Sequence, residues 1–116
     1  MKFYNRKKLP KRYHNQIFIA EHGSWNRNPR IGYRITAVLL DTDSATPLAY
    51  QPFVTGTCLP VTRHACVPAD CETLTRCSGW LAQDQTRYGR PVDILVLPDG
   101  SLLISDDSSN TVFRVH

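Results

Sequence analysis

Short apolar runs separated by turn residues are the feature of this sequence that most limits its fold. The clearest pair is VDILVL and SLLISD, which flank the tripeptide Pro98-Asp99-Gly100. Proline and glycine set the backbone angles of a tight turn, so this pattern predicts a β-hairpin. No window of eleven or more residues repeats apolar positions with helical spacing. The sequence therefore predicts an all-β chain.

Further runs rich in β-branched and aromatic residues extend this pattern, at 16–22, 33–41, 50–56 and 111–116. Pro52 lies inside the third run, and because proline donates no ladder hydrogen bond, we expect an edge strand there. The later half of the second run is apolar on both faces, which predicts a strand covered on both sides. Short strands at this spacing are typical of a sandwich, a barrel or a propeller.

Basic residues are concentrated near the start of the chain. Residues 1–14 hold six lysines and arginines and no acid, whereas eight basic and ten acidic residues follow in the rest of the 116. Such a segment can contact phosphate or an anionic membrane surface. Pro10 and three aromatic residues interrupt it, so we expect a solvated connection and no nucleic-acid partner. No apolar run approaches the roughly 20 residues of a membrane span, and no signal-peptide pattern begins the chain.

The four cysteines lie within one stretch that has little strand or helix periodicity. They are Cys58, Cys66, Cys71 and Cys77. Structural zinc sites usually take closely spaced ligand pairs, which this stretch lacks, so we favour two disulfides over a zinc site or free thiols. The three possible pairings stay open. Disulfides imply an oxidising compartment, and we expect the parent protein to be extracellular or periplasmic.

Two long stretches, KFYNRKKLPKRYHNQIFIAEHGSWNR and GRPVDILVLPDGSLLISDD, are specific enough to compare with a known family. With GYRI and TVFRV, they resemble the C-terminal part of the glucose/sorbosone dehydrogenase family, the sugar dehydrogenases that depend on pyrroloquinoline quinone (PQQ). The sorbosone-dehydrogenase-like branch is the most similar. The resemblance covers nearly the whole chain except the cysteine stretch.

The resemblance implies a six-bladed β-propeller with PQQ near its central axis, often beside Ca²⁺. Residues 1–56 would form one blade, 57–89 a cysteine-rich insert and 90–116 the next blade. We therefore expect a partial β-propeller of about two incomplete blades of antiparallel strands with a cysteine-rich loop. Residues 1–8 would be the remnant of an inner strand whose partners are missing. Family members oxidise a sugar hydroxyl or aldehyde group, and the cofactor carries the redox chemistry.

Two residues are assigned to cofactor binding by this resemblance. His22 stands at a strand end where related enzymes use a lysine near the quinone, and Arg90 matches an arginine that faces the cofactor. PQQ carries three carboxylates, and a guanidinium pairs with a carboxylate through two parallel hydrogen bonds. The alternatives are a corner histidine bonded to a backbone carbonyl, and a salt bridge from Arg90 to Asp93 or Asp107. Val92 stands where the family has a second arginine, so that contact is either lost or supplied by another residue.

The stretch EHGSWNR, residues 21–27, follows the apolar run IFIA and is either a binding rim or a polar turn. By the same resemblance, Trp25, Asn26 and Arg27 would line the rim where the sugar substrate enters. An indole offers a flat apolar face to a pyranose ring, and an amide both donates and accepts. The alternative is that Trp25 packs beneath its own loop. Asp106 and Asp107 are expected to be turn and cap residues, so no residue is assigned to a metal.

The general-base histidine of the family belongs to an earlier blade and has no match here, so no catalytic residue is assigned. Two partial blades leave strand edges and apolar faces bare. We therefore expect a fragment or a decayed paralogue that needs the remaining blades or a partner chain and is inactive or very weakly active alone. Two other classes stay open: a non-catalytic propeller-type module that binds a carbohydrate or a protein, and a disulfide-stapled interaction domain that uses the basic segment.

Overall fold

The structure is a computed structural model that describes residues 1–41, 43–54, 80–82 and 84–116. Within these ranges the chain is all-β apart from one 3₁₀ turn, Lys11–Tyr13. Seven strands form two antiparallel sheets, neither of which is closed. The strands are β1 (Lys2–Tyr4), β2 (Gln16–Glu21), β3 (Arg34–Leu40), β4 (Pro47–Val54), β5 (Pro91–Val96), β6 (Leu102–Asp106) and β7 (Thr111–Val115).

The first sheet contains β1 to β4 in sequence order. The run predicted at 50–56 is β4, which begins three residues earlier, at Pro47. Pro52 lies in the outermost strand, so the prediction of an edge strand there is confirmed. In β3, Ile35 and Ala37 are buried but the later half is only half-buried. The later half of this strand is therefore not fully covered on both sides.

The expectation that residues 1–8 belong to a strand without partners is wrong for Lys2–Tyr4. These three residues pair antiparallel with the beginning of β2, and Phe3 lies opposite Ile17. The sheet therefore has four strands rather than the three expected from residues 16–56. The sequence did not predict this strand, because it is only three residues long and lies in a highly charged segment with few apolar residues.

The second sheet is the predicted three-stranded meander, in the order β5-β6-β7. The turn at Pro98-Asp99-Gly100 joins β5 to β6, and the polar residues after Asp106 join β6 to β7. Gly100 has a φ of +87°, a conformation that glycine adopts without steric cost. The antiparallel pairing of β5 and β6 confirms the hairpin prediction. The prediction was possible because the turn residues restrict the backbone to this geometry.

One continuous core joins the two sheets. Strand β5 lies against β1 and β2, and the buried side chains of both sheets form a single apolar cluster. Aromatic rings dominate it on the side of the first sheet, where the Phe18 and Phe53 ring centroids are 4.5 Å apart and those of Tyr13 and Phe53 4.8 Å. Burial of such rings is the main favourable contribution to folding in a domain of this size.

Trp80 belongs to this main core. Its side chain is buried, and its ring meets that of Phe113 in β7 edge to face, with centroids 5.7 Å apart. Trp80, which follows the cysteine stretch in sequence, therefore packs in the core that both sheets share. The four cysteines themselves lie outside the described residues, so the two predicted disulfides stay a prediction.

The turn between β5 and β6 is held by a network of hydrogen bonds to one carboxylate. Asp99 accepts from the hydroxyl of Ser101 at 2.6 Å and from its backbone N–H at 3.0 Å. It also accepts from Lys8 Nζ at 3.1 Å and from Arg114 Nη2 at 2.7 Å. The Ser101 bonds are the largest cause of a pKa of Asp99 well below its ordinary value, and the two cations add to it.

This lowered pKa predicts a loss of stability in acid. A carboxyl group with a depressed pKa stabilises the fold above its unfolded value of about 3.9, and the contribution disappears as the pH falls through the folded pKa. We expect the unfolding free energy of Asp99→Asn to fall less steeply than that of the wild type between about pH 4 and pH 2. Urea unfolding followed by circular dichroism measures it. Equal slopes would contradict the prediction, and Asp93→Asn, at an exposed carboxylate on β5, is the control.

Candidate functional site

Three polar side chains meet where strands of both sheets reach a common corner. His22 follows the last residue of β2, Arg90 precedes the first residue of β5, and Asp107 follows the last residue of β6. Because β5 and β6 are antiparallel, the start of one and the end of the other share an edge, and β5 lies against β2. We call these three residues the corner cluster. The topology thus brings together residues separated by up to 85 positions.

Arg90 is fixed to the backbone of the β2 end. Its Nε donates to the carbonyl oxygen of His22 at 3.1 Å, and its Nη2 donates to that of Gly23 at 2.9 Å. The guanidinium carbon lies 5.8 Å from the centroid of the Tyr33 ring, within the range of a cation–π contact. These bonds use two of the five N–H groups of the guanidinium. The described contacts leave the other three available.

His22 and Asp107 form a close pair. Nε2 of His22 lies 3.0 Å from Oδ1 and 3.1 Å from Oδ2 of Asp107. The hydrogen bond from His22 is the main cause of a pKa of Asp107 below its ordinary value, and the charges of His22 and Arg90 add to it. Asp107 therefore stays ionised over the neutral range. Both side chains are partly open to solvent, so the pair lies on a surface that a ligand can reach.

The connection that carries His22 is shaped by glycine and by one buried tyrosine. Gly23 has a φ of +95°, and a Cβ there would lie 2.4 Å from atoms of the Tyr33 ring. The Tyr33 hydroxyl donates to the carbonyl oxygen of Ser24 at 2.5 Å. The backbone of residues 22–24 therefore lies directly on the Tyr33 ring, a position open only to glycine. This close packing fixes the two carbonyl groups that Arg90 binds.

The predicted rim residues lie beside this corner and face solvent. Trp25 is 85% exposed, and Asn26 and Arg27 are exposed too. The alternative in which Trp25 packs beneath its own loop is therefore wrong. Arg30 anchors the far end of the connection, because its backbone N–H donates to Gln85 Oε1 at 2.6 Å and its Nη1 to the Gln85 carbonyl at 2.7 Å.

Glu21, the residue before His22, is occupied by the first sheet. It accepts hydrogen bonds from the hydroxyls of Thr36 and Tyr50 and from Arg34 Nε at 3.1 Å. Burial raises the pKa of this carboxyl group, but the bonds from Thr36, Arg34 and Tyr50 together bring the pKa below its ordinary value. Glu21 is therefore ionised, and its hydrogen bonds connect β2 to β3 and β4. Because these bonds occupy its carboxylate, we do not assign Glu21 a role in acid–base chemistry.

Asp106 has the turn role expected from the sequence. Its Oδ1 accepts from the backbone N–H groups of Ser108 at 3.0 Å and Ser109 at 2.8 Å. Its neighbour Asp107 instead pairs with His22, which sequence reasoning missed. Two successive aspartates at a strand end are an ambiguous signal, since alternate residues of a strand point to opposite faces. Only one of the two can serve the turn, which frees the other for the corner cluster.

The structure brings together both residues assigned to the cofactor, His22 and Arg90, and adds Asp107 and Tyr33 to them. In the described residues Arg90 forms neither of the alternative salt bridges, to Asp93 or to Asp107, and its hydrogen bonds go to the carbonyl oxygens of His22 and Gly23. In the part of the chain that the structure describes, no group of three or more metal-ligating side chains is found. Within the same residues, no helix has the length and apolar character needed to cross a membrane.

Comparison with known proteins gives one similar sequence. A protein of Borreliella burgdorferi (strain ATCC 35210 / DSM 4680 / CIP 102532 / B31), called "Uncharacterized protein", is 37% identical over 114 residues. The match covers 98% of this chain and 24% of that protein, so the chain spans about a quarter of the length of this relative. No family model matches the sequence. No solved structure matches it either.

Proposed function

We propose that this chain is part of a PQQ-dependent sugar or aldehyde dehydrogenase of the glucose/sorbosone type, to which it contributes a cofactor-binding corner. The sequence resemblance suggests the family. The single observation that carries the proposal is the meeting of Arg90 and His22, residues 68 positions apart, at one open corner.

The chemistry of the corner suits an anionic planar ligand. Arg90 has three N–H groups beyond its two backbone bonds, and a guanidinium edge is the preferred partner of a carboxylate. Since Nε2 of His22 is taken by Asp107, the imidazole can offer Nδ1 to the same ligand. Arg90 and His22 would therefore hold a carboxylate or quinone oxygen of PQQ, while Asp107 sets the orientation of the imidazole. When bound, PQQ supplies the hydride acceptor of the reaction.

The exposed rim supports a sugar as the second ligand. Trp25 presents a bare indole within three residues of His22, and aromatic faces of this kind pack against the apolar face of a pyranose. Asn26 and Arg27 can donate to its hydroxyls. The general base of the family has no counterpart among the residues matched here. The chain therefore binds and orients but is expected to give little or no turnover by itself.

The finer fold belongs to this proposal as well. Two successive antiparallel meanders, each in sequence order and packed through one core, support an arrangement of propeller blades. In that arrangement the corner cluster would lie at the channel side of two neighbouring blades. The parent protein would be extracellular or periplasmic.

The proposal is tested by calorimetric titration of the chain with PQQ. We expect binding, and we expect His22→Gln to weaken it about tenfold, the effect of one hydrogen bond to a charged group. His116→Gln, at an exposed site in the terminal residue after β7, is the matched control and should bind as the wild type does. Absence of PQQ binding by the wild type, or equal affinity in His22→Gln, would overturn the assignment.

A second candidate is a non-catalytic module that binds a carbohydrate or a protein, and the exposed Trp25 favours it. In that case a saccharide should bind without PQQ, and Trp25→Ala should abolish that binding while His22→Gln leaves it intact. Tryptophan fluorescence during titration with glucose and with sorbose distinguishes the two functions. In the dehydrogenase, sugar binding should instead require the cofactor.

A further inference from the structure

The loop that carries the predicted sugar rim is closed at its base. We call residues 24–31 the rim loop. The backbone N–H of Ser24 donates to the carbonyl oxygen of Ile31 at 2.9 Å, and the backbone N–H of Ile31 donates to Ser24 Oγ at 3.1 Å. The carbonyl oxygen of Ser24 also accepts from the hydroxyl of Tyr33, the buried residue whose ring supports the backbone beside His22. The start of the rim loop is therefore joined to the corner cluster.

The middle of the rim loop has no support of its own. Trp25 is 85% exposed. Within the described residues, Trp25, Asn26 and Arg27 make no hydrogen bond to another part of the chain. Their position relative to the corner cluster therefore depends on how the loop is held on either side of them. A group that is already held in its binding position loses less conformational entropy when a ligand arrives, so support for this loop raises affinity.

The second support comes from Gln85, which lies 55 positions beyond Arg30 in the chain. Its Oε1 accepts from the backbone N–H of Arg30 at 2.6 Å, and its carbonyl oxygen accepts from Arg30 Nη1 at 2.7 Å. Because a backbone N–H only donates, the atom of the Gln85 amide group that faces it is the oxygen. Arg30 is therefore bound to one residue through both its backbone and its side chain.

Gln85 lies in a turn that is anchored in the core. Leu81 and Arg87 form an antiparallel bridge on either side of it, and the backbone N–H of Gln85 donates to the carbonyl oxygen of Ala82 at 3.0 Å. Trp80, which precedes the bridge, is buried in the core that both sheets share. The second end of the rim loop is thus held by the core through Gln85, whereas the first end is held by the corner cluster.

We propose that Gln85 is a positioning residue of the sugar rim, which holds the rim loop so that Trp25 stays in place beside the corner cluster. This inference rests on the proposed function, in which Trp25 packs against the sugar. Gln85 acts through Arg30, since its Oε1 and its carbonyl oxygen are both taken by that residue. Contact with the sugar is left to Trp25, Asn26 and Arg27.

Relaxation measurements by nuclear magnetic resonance on the isotope-labelled chain test the position of the rim without any ligand. The chain has two tryptophans. Because Trp25 is exposed and Trp80 is buried, their indole N–H signals report on the rim and the core separately. We expect Gln85→Ala to increase the fast motion of the Trp25 indole and to leave that of Trp80 unchanged. Equal motion of the Trp25 indole in Gln85→Ala and the wild type would overturn the proposal.

Calorimetric titration with glucose in the presence of PQQ tests whether the support matters for binding. We expect Gln85→Ala to bind glucose about fivefold more weakly than the wild type, the effect of losing one hydrogen bond. Gln85→Glu keeps an oxygen that accepts from Arg30, so it should restore both the ordered indole and the affinity. Gln51→Ala, the same change at a half-buried glutamine on β4, is the matched control and should behave as the wild type does.

The two measurements separate this inference from the proposed function. Equal glucose affinity in the wild type and Gln85→Ala would contradict the positioning role alone. So would weak binding by Gln85→Glu with an ordered Trp25 indole, because Gln85 would then contact the sugar itself. A wild type that binds PQQ but no glucose, with an indole that loosens in Gln85→Ala, would instead support the hold of Gln85 on the rim loop and contradict the assignment of a sugar to it.

Discussion

Tyr4→Phe is expected to lower the free energy of unfolding by about 3 kcal/mol, a large effect for the removal of one atom. The hydroxyl of Tyr4 is fully buried and makes three hydrogen bonds to backbone. It donates to the carbonyl oxygen of Gly100 at 2.7 Å and accepts from the N–H groups of Lys8 at 3.1 Å and Leu9 at 3.0 Å. Phenylalanine keeps the ring but leaves three backbone groups without partners, each at a cost of about 1–3 kcal/mol.

Urea unfolding followed by circular dichroism measures this change. The size of the effect follows from position, since the hydroxyl joins β1 of the first sheet to the β5–β6 turn of the second. Tyr88→Phe, at a residue that is largely exposed, is the matched control and should change stability by less than about 0.5 kcal/mol. A loss below about 1 kcal/mol for Tyr4→Phe would mean that water replaces the hydroxyl and that the two sheets are not joined there.

Local signals in the sequence were sufficient where turn chemistry decides the structure. Gly100 and Pro98 mark the β5–β6 hairpin, and Pro52 marks an outer strand, because each restricts the backbone whatever surrounds it. The same reasoning failed for Lys2–Tyr4, where charge concealed a strand that exists only because β2 offers it an edge. The hydrogen bond from Tyr4 to Gly100 spans 96 positions. No local sequence pattern predicts this bond. Its acceptor is a backbone carbonyl group, which every residue has, so the residue type at position 100 does not reveal it.

The candidate site divides in the same way. The resemblance identified His22 and Arg90 as candidates. That Arg90 bonds to the carbonyl groups of His22 and Gly23 depends on the packing of β5 against β2, which the sequence does not show. Tyr33 begins the run predicted as the second strand, but its packing against Gly23 depends on a positive φ angle of that glycine, which the sequence does not show. Asp107 was expected to be a turn or cap residue. The direction of its side chain depends on the residue at which β6 ends, and the sequence does not fix that residue.

Arg90→Ala is expected to weaken PQQ binding about 100-fold, the second large effect. Two contributions add. The substitution removes the guanidinium proposed to bind a carboxylate, and it frees the His22 and Gly23 carbonyls, so the backbone that positions the imidazole loses its support. Arg90→Lys keeps the charge but cannot bind both carbonyls and a ligand through one planar group, so an intermediate loss is expected. Calorimetric titration with PQQ, together with thermal unfolding, measures both contributions.

Arg87→Ala is the matched control, since Arg87 is exposed three residues earlier and its removal leaves the corner cluster intact. It should retain wild-type affinity. If Arg90→Ala lowered the melting temperature while PQQ bound as before, Arg90 would be a structural clamp on the β2 end and the cofactor assignment would fail. Arg90→Ala could lose both PQQ affinity and the orientation of His22, while Arg90→Lys loses only affinity. In that case Arg90 would both hold the backbone at the end of β2 and bind the cofactor. That outcome follows from the geometry, because the donors that hold the carbonyls occupy one edge of the guanidinium and leave the other edge for a ligand.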